Sequence, residues 1–300
     1  MNTALVFLKP HAVNEKVDKF AREHLAEKKV KVVNDGVLSS EEIKSAGMID
    51  THYAALAASA VKTLPANLGI SAAKKDEFKE KFGVGWDEAA GDGALLNLAQ
   101  FQSKFPAMKV ADIEAKWRAG PTMKLAPGNY VSQLTEEKAY VINGFYGSMR
   151  EKFIAPGVQV QWYLVEFDPS EVPWKAFRGS VIGATDPTAA EDGSLRSKIL
   201  KSWKDLELAF EPSTADNGVH ASAGPIEGLK ERMTWLGVKA EDDPFGKALA
   251  GKGVTGQLLA KMLDNEIVEL PGGEKGPCFD VTEDMDSSTV LDLAEKMAKS

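Results

Sequence analysis

One histidine, His220, sits in a stretch suited to presenting a reactive side chain: Asn217-Gly218-Val219-His220-Ala221-Ser222-Ala223-Gly224-Pro225. Small residues and two glycines permit a tight loop. Pro225 is well placed to start the amphipathic helix marked by Ile226, Leu229, Met233 and Leu236. A neutral imidazole nitrogen can attack phosphorus without prior deprotonation. Its other nitrogen must then be held by an acceptor, which fixes tautomer and orientation. Glu231, one to two turns into the following helix, could fold back to supply that acceptor, and Ser222 could support the site. A lone histidine before a helix is more often a surface or capping residue. Lys9, Arg178 and Arg196, taken singly, are ordinary surface charges. Their combination is what points to phosphoryl chemistry.

Other chemistries are excluded by what the sequence lacks. There is no P-loop, no protein-kinase Gly-rich loop or His-Arg-Asp motif, no dinucleotide-binding GxGxxG and no Gly-x-Ser-x-Gly. The four histidines, His11, His24, His52 and His220, lack zinc-ligand spacing, and no metal site of the protein's own is expected. Cys278 is the single cysteine, which rules out an intrachain disulfide and suits a reducing compartment. A net charge of −8 argues against nucleic-acid coating while leaving room for a local basic pocket. The first apolar run ends at Lys9, too short for a signal-peptide core or a membrane span, so a cytoplasmic protein is expected.

The elements that would position these residues are partly visible. Ala4 to Leu8 reads as a buried strand, and Val17, Phe20, Ala21 and Leu25 recur at helical spacing. Val30 to Val33 predicts a second strand closed by the turn Asn34-Asp35-Gly36, and Ser39 with Glu42 a capping box. Residues 158–164 alternate cleanly, with Val158, Val160, Trp162 and Leu164 on one side. Trp174, Phe177 and Val181 predict a helix. Trp203, Leu206, Leu208 and Phe210 predict a surface packing element, and the acidic run Glu283-Asp284-Met285-Asp286 a solvated surface. Strands and helices interleave, as in an α/β sandwich.

The sequence resembles the nucleoside diphosphate kinase family. The resemblance lies in Leu8-Lys9-Pro10-His11-Ala12-Val13, Thr51 to Leu56, Phe145-Tyr146, Pro156-Gly157, Arg178 to Pro187, Gly193 to Arg196 and Asn217 through Glu231. The family's Thr-to-Arg spacing of eleven recurs at Thr185 and Arg196, and its Asn-x-x-His, His-x-Ser and His-to-Glu spacings at Asn217, His220, Ser222 and Glu231.

The resemblance implies an α+β fold, a ferredoxin-like sandwich with a four-stranded antiparallel sheet, interrupted by a mainly helical insertion. The core would be residues 1–56 and 141–237, the insertion 57–140 and a C-terminal extension 238–300. It implies ping-pong transfer of a terminal phosphoryl group from a nucleoside triphosphate to a nucleoside diphosphate through His220, with Mg²⁺ carried on the nucleotide phosphates. Lys9 and Asn217 would bind ribose hydroxyls and nearby phosphate oxygens, and Tyr53 would support Lys9 and His220. Phe145 would stack on the base, and Arg178, Thr185 and Arg196 would neutralise phosphates. A homo-oligomer or a larger protein assembly is implied.

Four departures set this chain apart. Tyr53 and Phe145 are separated by a long segment where the family has a short loop. His11 replaces an acidic residue, and Ala221 a glycine that follows the histidine. Arg178 lies seven residues before Thr185, one more than the family pattern, and the interval from Arg196 to Asn217 is about double the usual one. The alternative reading is a kinase-derived scaffold subunit, for example of a ciliary or cytoskeletal assembly, with or without nucleotide binding.

Overall fold

In the computed structural model, which describes residues 1–126 and 128–299, the chain divides into two units, Met1–Ile43 with Pro156–Ser300 and Lys44–Ala155. In the first unit, strand β1 (Asn2–Leu8) leads through helix α1 (Glu15–Glu27) to β2 (Lys31–Ser39). After the second unit come β3 (Gln159–Phe167), helix α2 (Leu195–Ser202), the short β4 (Val219–Ala221) and helix α3 (Pro225–Leu236). The sheet runs β2-β3-β1-β4 with every neighbour antiparallel. That order, with helical crossovers after β1 and after β3, is the ferredoxin-like β-α-β-β-α-β arrangement.

Ala4 to Leu8 are fully buried because helices cover both faces of the central strand. A strand covered on both sides needs a continuous apolar run, not an alternating one. Ala4, Val6 and Leu8 share a core with Val17, Ala21 and Leu25 of α1 and with Leu195 and Ile199 of α2. On the other face Phe7 meets Trp235 of α3, with ring centroids 4.8 Å apart. Each buried side chain of this size contributes about 1.5–3 kcal/mol. The C-terminal region belongs to the same unit. Helices α4 (Pro244–Gly251), α5 (Gly256–Leu263) and α6 (Ser287–Lys299) form a second core with Ile226 and Leu229 of α3.

Several sequence expectations are met. The Ser39–Glu42 capping box forms, Pro225 opens α3, and Leu206 and Leu208 are buried against the main core. Another is corrected. Asn34-Asp35-Gly36 is not a turn: β2 continues through it, paired with β3, with an irregularity between Val32 and Asn34. Gly36 lies opposite Trp162, where a Cβ would come 2.8 Å from the indole ring. The glycine thus serves close packing across the strands. The alternation along β3 is present: Tyr163, Val165 and Phe167 are buried on one face, and on the other Val160 is buried while Trp162 and Leu164 are half-buried. Tyr163 is buried with its hydroxyl satisfied, donating to Asp18 Oδ1 at 2.7 Å.

The second unit carries helices such as Ala72–Phe82 and Val110–Ala119, anchored as expected by buried Trp86, Phe101 and Trp117. It also holds a four-stranded sheet in the order Leu95–Asn97, Ala139–Ile142, Asn129–Leu134, Thr122–Ala126. Among the described residues no helix is long and apolar enough to cross a membrane.

Candidate active site

The site grows from the end of the central strand. Gly218 takes φ +83°, a backbone region open to glycine at little cost. Its carbonyl accepts from Lys9 N at 2.9 Å, and its N–H donates to His11 Nε2 at 3.1 Å. These two bonds tie the turn at Asn217 to the Lys-Pro segment after β1. His11, in place of an acidic residue, therefore still supplies an acceptor. Ala221 lies in extended β4 opposite Val6, so its methyl group meets no backbone constraint.

His220 sits in β4 directly across from Phe7, the rings stacked at 4.6 Å. Its Nε2 lies 2.6 Å from Glu231 Oε1. The second oxygen, Oε2, accepts from Ser222 Oγ at 2.6 Å, and Ser222 Oγ accepts in turn from Leu5 N at 2.9 Å. Ser222 is fully buried and Glu231 is 3% exposed. An ionised carboxylate only accepts, so the imidazole carries its proton on Nε2 and its in-plane lone pair on Nδ1. Burial first, then the charges of Lys9, Arg196 and Arg178, hold the His220 pKa well below the ordinary histidine value. The ring is neutral at pH 7, oriented, and within electrostatic reach of three cations.

Those cations are placed by different elements. Arg196 on α2 donates Nη2 and Nε to Val219 O at 2.8 and 3.2 Å, and Nη1 to Gly183 O at 2.7 Å. It fixes the strand that carries His220. Asn217, 1% exposed, donates to Thr185 O at 2.9 Å, while its Oδ1 finds no hydrogen-bond partner among the described residues. Thr185 itself is exposed. Arg178 lies in the turn Phe177–Ile182, where the expected helix continues past Trp174–Ala176 in a wider winding. Its Nη1 pairs with Glu283 Oε1 at 2.5 Å and Asp284 Oδ1 at 2.8 Å. The acidic run is thus not merely a solvated surface. Asp286 is engaged too, accepting from Asn2 Nδ2 at 2.7 Å and Trp174 N at 2.8 Å.

His220, Ser222 and Glu231 are joined directly, with Lys9, Arg178 and Arg196 close enough to shift the imidazole. Tyr53 and Phe145 belong to the second unit. There Tyr53 packs edge-on against His52, with centroids 4.6 Å apart, and Phe145 edge-on against Trp117 at 5.2 Å. Two residues have parts in the site that their spacing in the sequence did not indicate. One is His11, as a brace for the turn. The other is Glu227, whose Oε2 accepts from Ala223 N at 2.8 Å. Burial and the neighbouring Glu231 push its carboxyl up to about 8. Glu227 lies four residues before Glu231, and that spacing placed both carboxyls on one face of the helix.

No protein-family model matches the chain, and no curated protein sequence does. Solved structures do. Three of these neighbours are proteins of the nucleoside diphosphate kinase family. An apo nucleoside diphosphate kinase from Encephalitozoon cuniculi is 15% identical, covers 81% of this chain and 93% of its own, and has a TM-score of 0.39. A nucleoside diphosphate kinase family protein from Babesia bovis is 12% identical over 82% of this chain and 98% of its own, at 0.38. An NDP kinase from Pyrobaculum aerophilum is 16% identical over 80% and 97%, at 0.33.

Proposed function

We propose that this chain is a nucleoside diphosphate kinase with His220 as its nucleophile. The observation that carries the reading is the Ser222–Glu231–His220 relay, which leaves the lone pair at Nδ1 of a neutral ring beside Lys9, Arg178 and Arg196. In the first half-reaction Nδ1 attacks the terminal phosphorus of a nucleoside triphosphate. The N–P bond forms as the bond to the bridging oxygen breaks, and the diphosphate leaves with that electron pair. In the second half-reaction a terminal oxygen of another nucleoside diphosphate takes the phosphoryl group and the imidazole lone pair returns. The Nε2 proton stays on the ring throughout, and Glu231 stabilises the positive charge the ring acquires.

The cationic surroundings suit phosphate oxygens, where electrostatic stabilisation supplies most of the catalysis. They do not suit a resident cation, so Mg²⁺ would arrive on the nucleotide as part of the substrate. The orphaned Asn217 Oδ1 is an acceptor suited to a sugar hydroxyl, since leaving it unpaired costs about 1–3 kcal/mol. Lys9, Thr185 and Arg196 would meet phosphate oxygens. The test is exchange between ATP and GDP in the presence of Mg²⁺, followed as GTP and ADP formation. The proposal requires exchange by the protein and none by His220→Ala; exchange that survives the substitution rules out this nucleophile.

A further inference from the structure

The segment between α5 and α6 is fastened to the rim of this site. Ser287 N donates to Asn2 Oδ1 at 2.8 Å, and Asp286 bonds Asn2 and the backbone of Trp174. Asp284 N donates to Ala223 O at 3.1 Å, in the loop that follows His220 and Ser222. Thr282 O lies so close to Gly224 that a Cβ there would be 3.0 Å away. Asp284 adopts φ +61°, an uncommon conformation for a residue with a side chain, costing about 1 kcal/mol or more. The chain is held in this path by its bonds to β1 and to the loop.

This path brings two carboxylates to one guanidinium nitrogen. Arg178 is 33% exposed, Glu283 45% and Asp284 38%, so solvent can enter the pair and its strength is modest. The same Arg178 acts electrostatically on His220 and on Glu227, and Glu283 acts on Glu227 as well. One positive charge therefore faces two negative ones close to the nucleophile. A phosphate approaching His220 meets Arg178 already matched, with a surplus carboxylate that repels it.

Resting on the nucleoside diphosphate kinase reading, we infer that Glu283 and Asp284 are positioning residues that hold the Arg178 guanidinium away from phosphate and so weaken nucleotide binding. The C-terminal region, in this view, sets the nucleotide concentration at which the site fills. Binding a nucleoside diphosphate requires an exchange of partners at Arg178, with phosphate oxygens replacing the two carboxylates. No covalent step is involved.

The test is the affinity for Mg²⁺-ADP, by titration calorimetry on the full chain, of the native protein, Glu283→Gln/Asp284→Asn, Arg178→Gln and the triple variant. Both carboxylate replacements are isosteric, and the circular dichroism spectrum checks the fold; if the double variant is misfolded, Glu283→Gln alone makes the same comparison. The double variant is expected to bind ADP about threefold to tenfold more tightly, with KM lowered and kcat unchanged. That gain must vanish in the triple variant, because it passes through Arg178. Unchanged or weaker binding by the double variant, a gain that persists without Arg178, or no binding by either protein overturns the inference. Labelling of the native protein by γ-labelled ATP is read separately. A native protein that binds ADP but forms no phosphohistidine contradicts the kinase reading, while the affinity comparison still decides the role of Glu283 and Asp284.

Discussion

Replacing Glu231 by glutamine exchanges one carboxylate oxygen for an NH₂ group, removes the negative charge and leaves the shape of the relay. The carboxylate takes part in two contacts of 2.6 Å, to His220 Nε2 and from Ser222 Oγ. An amide offers one oxygen and one NH₂. If the oxygen faces Ser222, the NH₂ faces Nε2, which must then accept, and the ring proton moves to Nδ1, blocking the nucleophile. If the oxygen faces His220, the tautomer survives, but the negative charge that stabilises the developing imidazolium is gone. A hydrogen bond to a charged group contributes about 1.5–3 kcal/mol. At about 1.36 kcal/mol per factor of ten, phosphorylation should slow roughly 10- to 150-fold. Rapid-quench measurement of phosphohistidine formation in a single turnover reads that step directly, with circular dichroism to check the fold. A rate within twofold of the native protein would refute the orienting role. A loss as complete as that of His220→Ala would show that Glu231 does more than orient.

Three further outcomes are expected. Arg232 and Asp243 form a buried pair, with contacts of 2.7 and 3.0 Å and side chains 2% and 3% exposed. Arg232→Met should cost about 3–5 kcal/mol in urea unfolding by stranding Asp243, and a loss below about 1 kcal/mol would contradict this. Burial and the neighbouring Glu231 push the Glu227 carboxyl up to about 8, above its ordinary value of 4.5, so rising pH draws a proton from the unfolded chain first and lowers native stability across that window. Glu227→Gln should leave stability unchanged near pH 4 and raise it by about 2–4 kcal/mol near pH 8; a gain independent of pH would contradict the raised value. His220 should remain neutral at pH 6 in the NMR titration of the nucleotide-free protein, its midpoint lying well below that of an unfolded histidine. Below about pH 6.5 the unfolded chain then takes up a proton the native site refuses, so acid lowers stability, and His220→Asn should lessen that fall. A midpoint at or above the unfolded value would overturn both statements.

What the sequence revealed follows from the range of the interactions involved. The His220, Ser222 and Glu231 spacings were legible because a two-residue strand step and a helix of regular pitch translate spacing into position. The same regularity made Glu227 findable, though its effect depends on burial, which spacing does not report. Asn34-Asp35-Gly36 looked like a turn because its residue types favour turns. Pairing with β3 overrode that preference, and only the partner, Trp162, explains the glycine. On β3 itself the alternation was visible, but which face is buried is decided by α1 and α2. The acidic run read as solvent-facing because Arg178, about a hundred residues earlier in the chain, is brought to it only by the fold. The bracing role of His11 gave no signal for the same reason, its partner Gly218 lying far away in sequence.

The central claim, a phosphoryl group held on His220, is tested most directly by incubating the full chain with γ-labelled ATP and Mg²⁺ and following the retained label. The account predicts an adduct that is labile in acid and stable in base, absent from His220→Ala, and discharged onto added GDP. A folded protein that binds nucleotide yet retains no label, or label that survives the loss of His220, would contradict it.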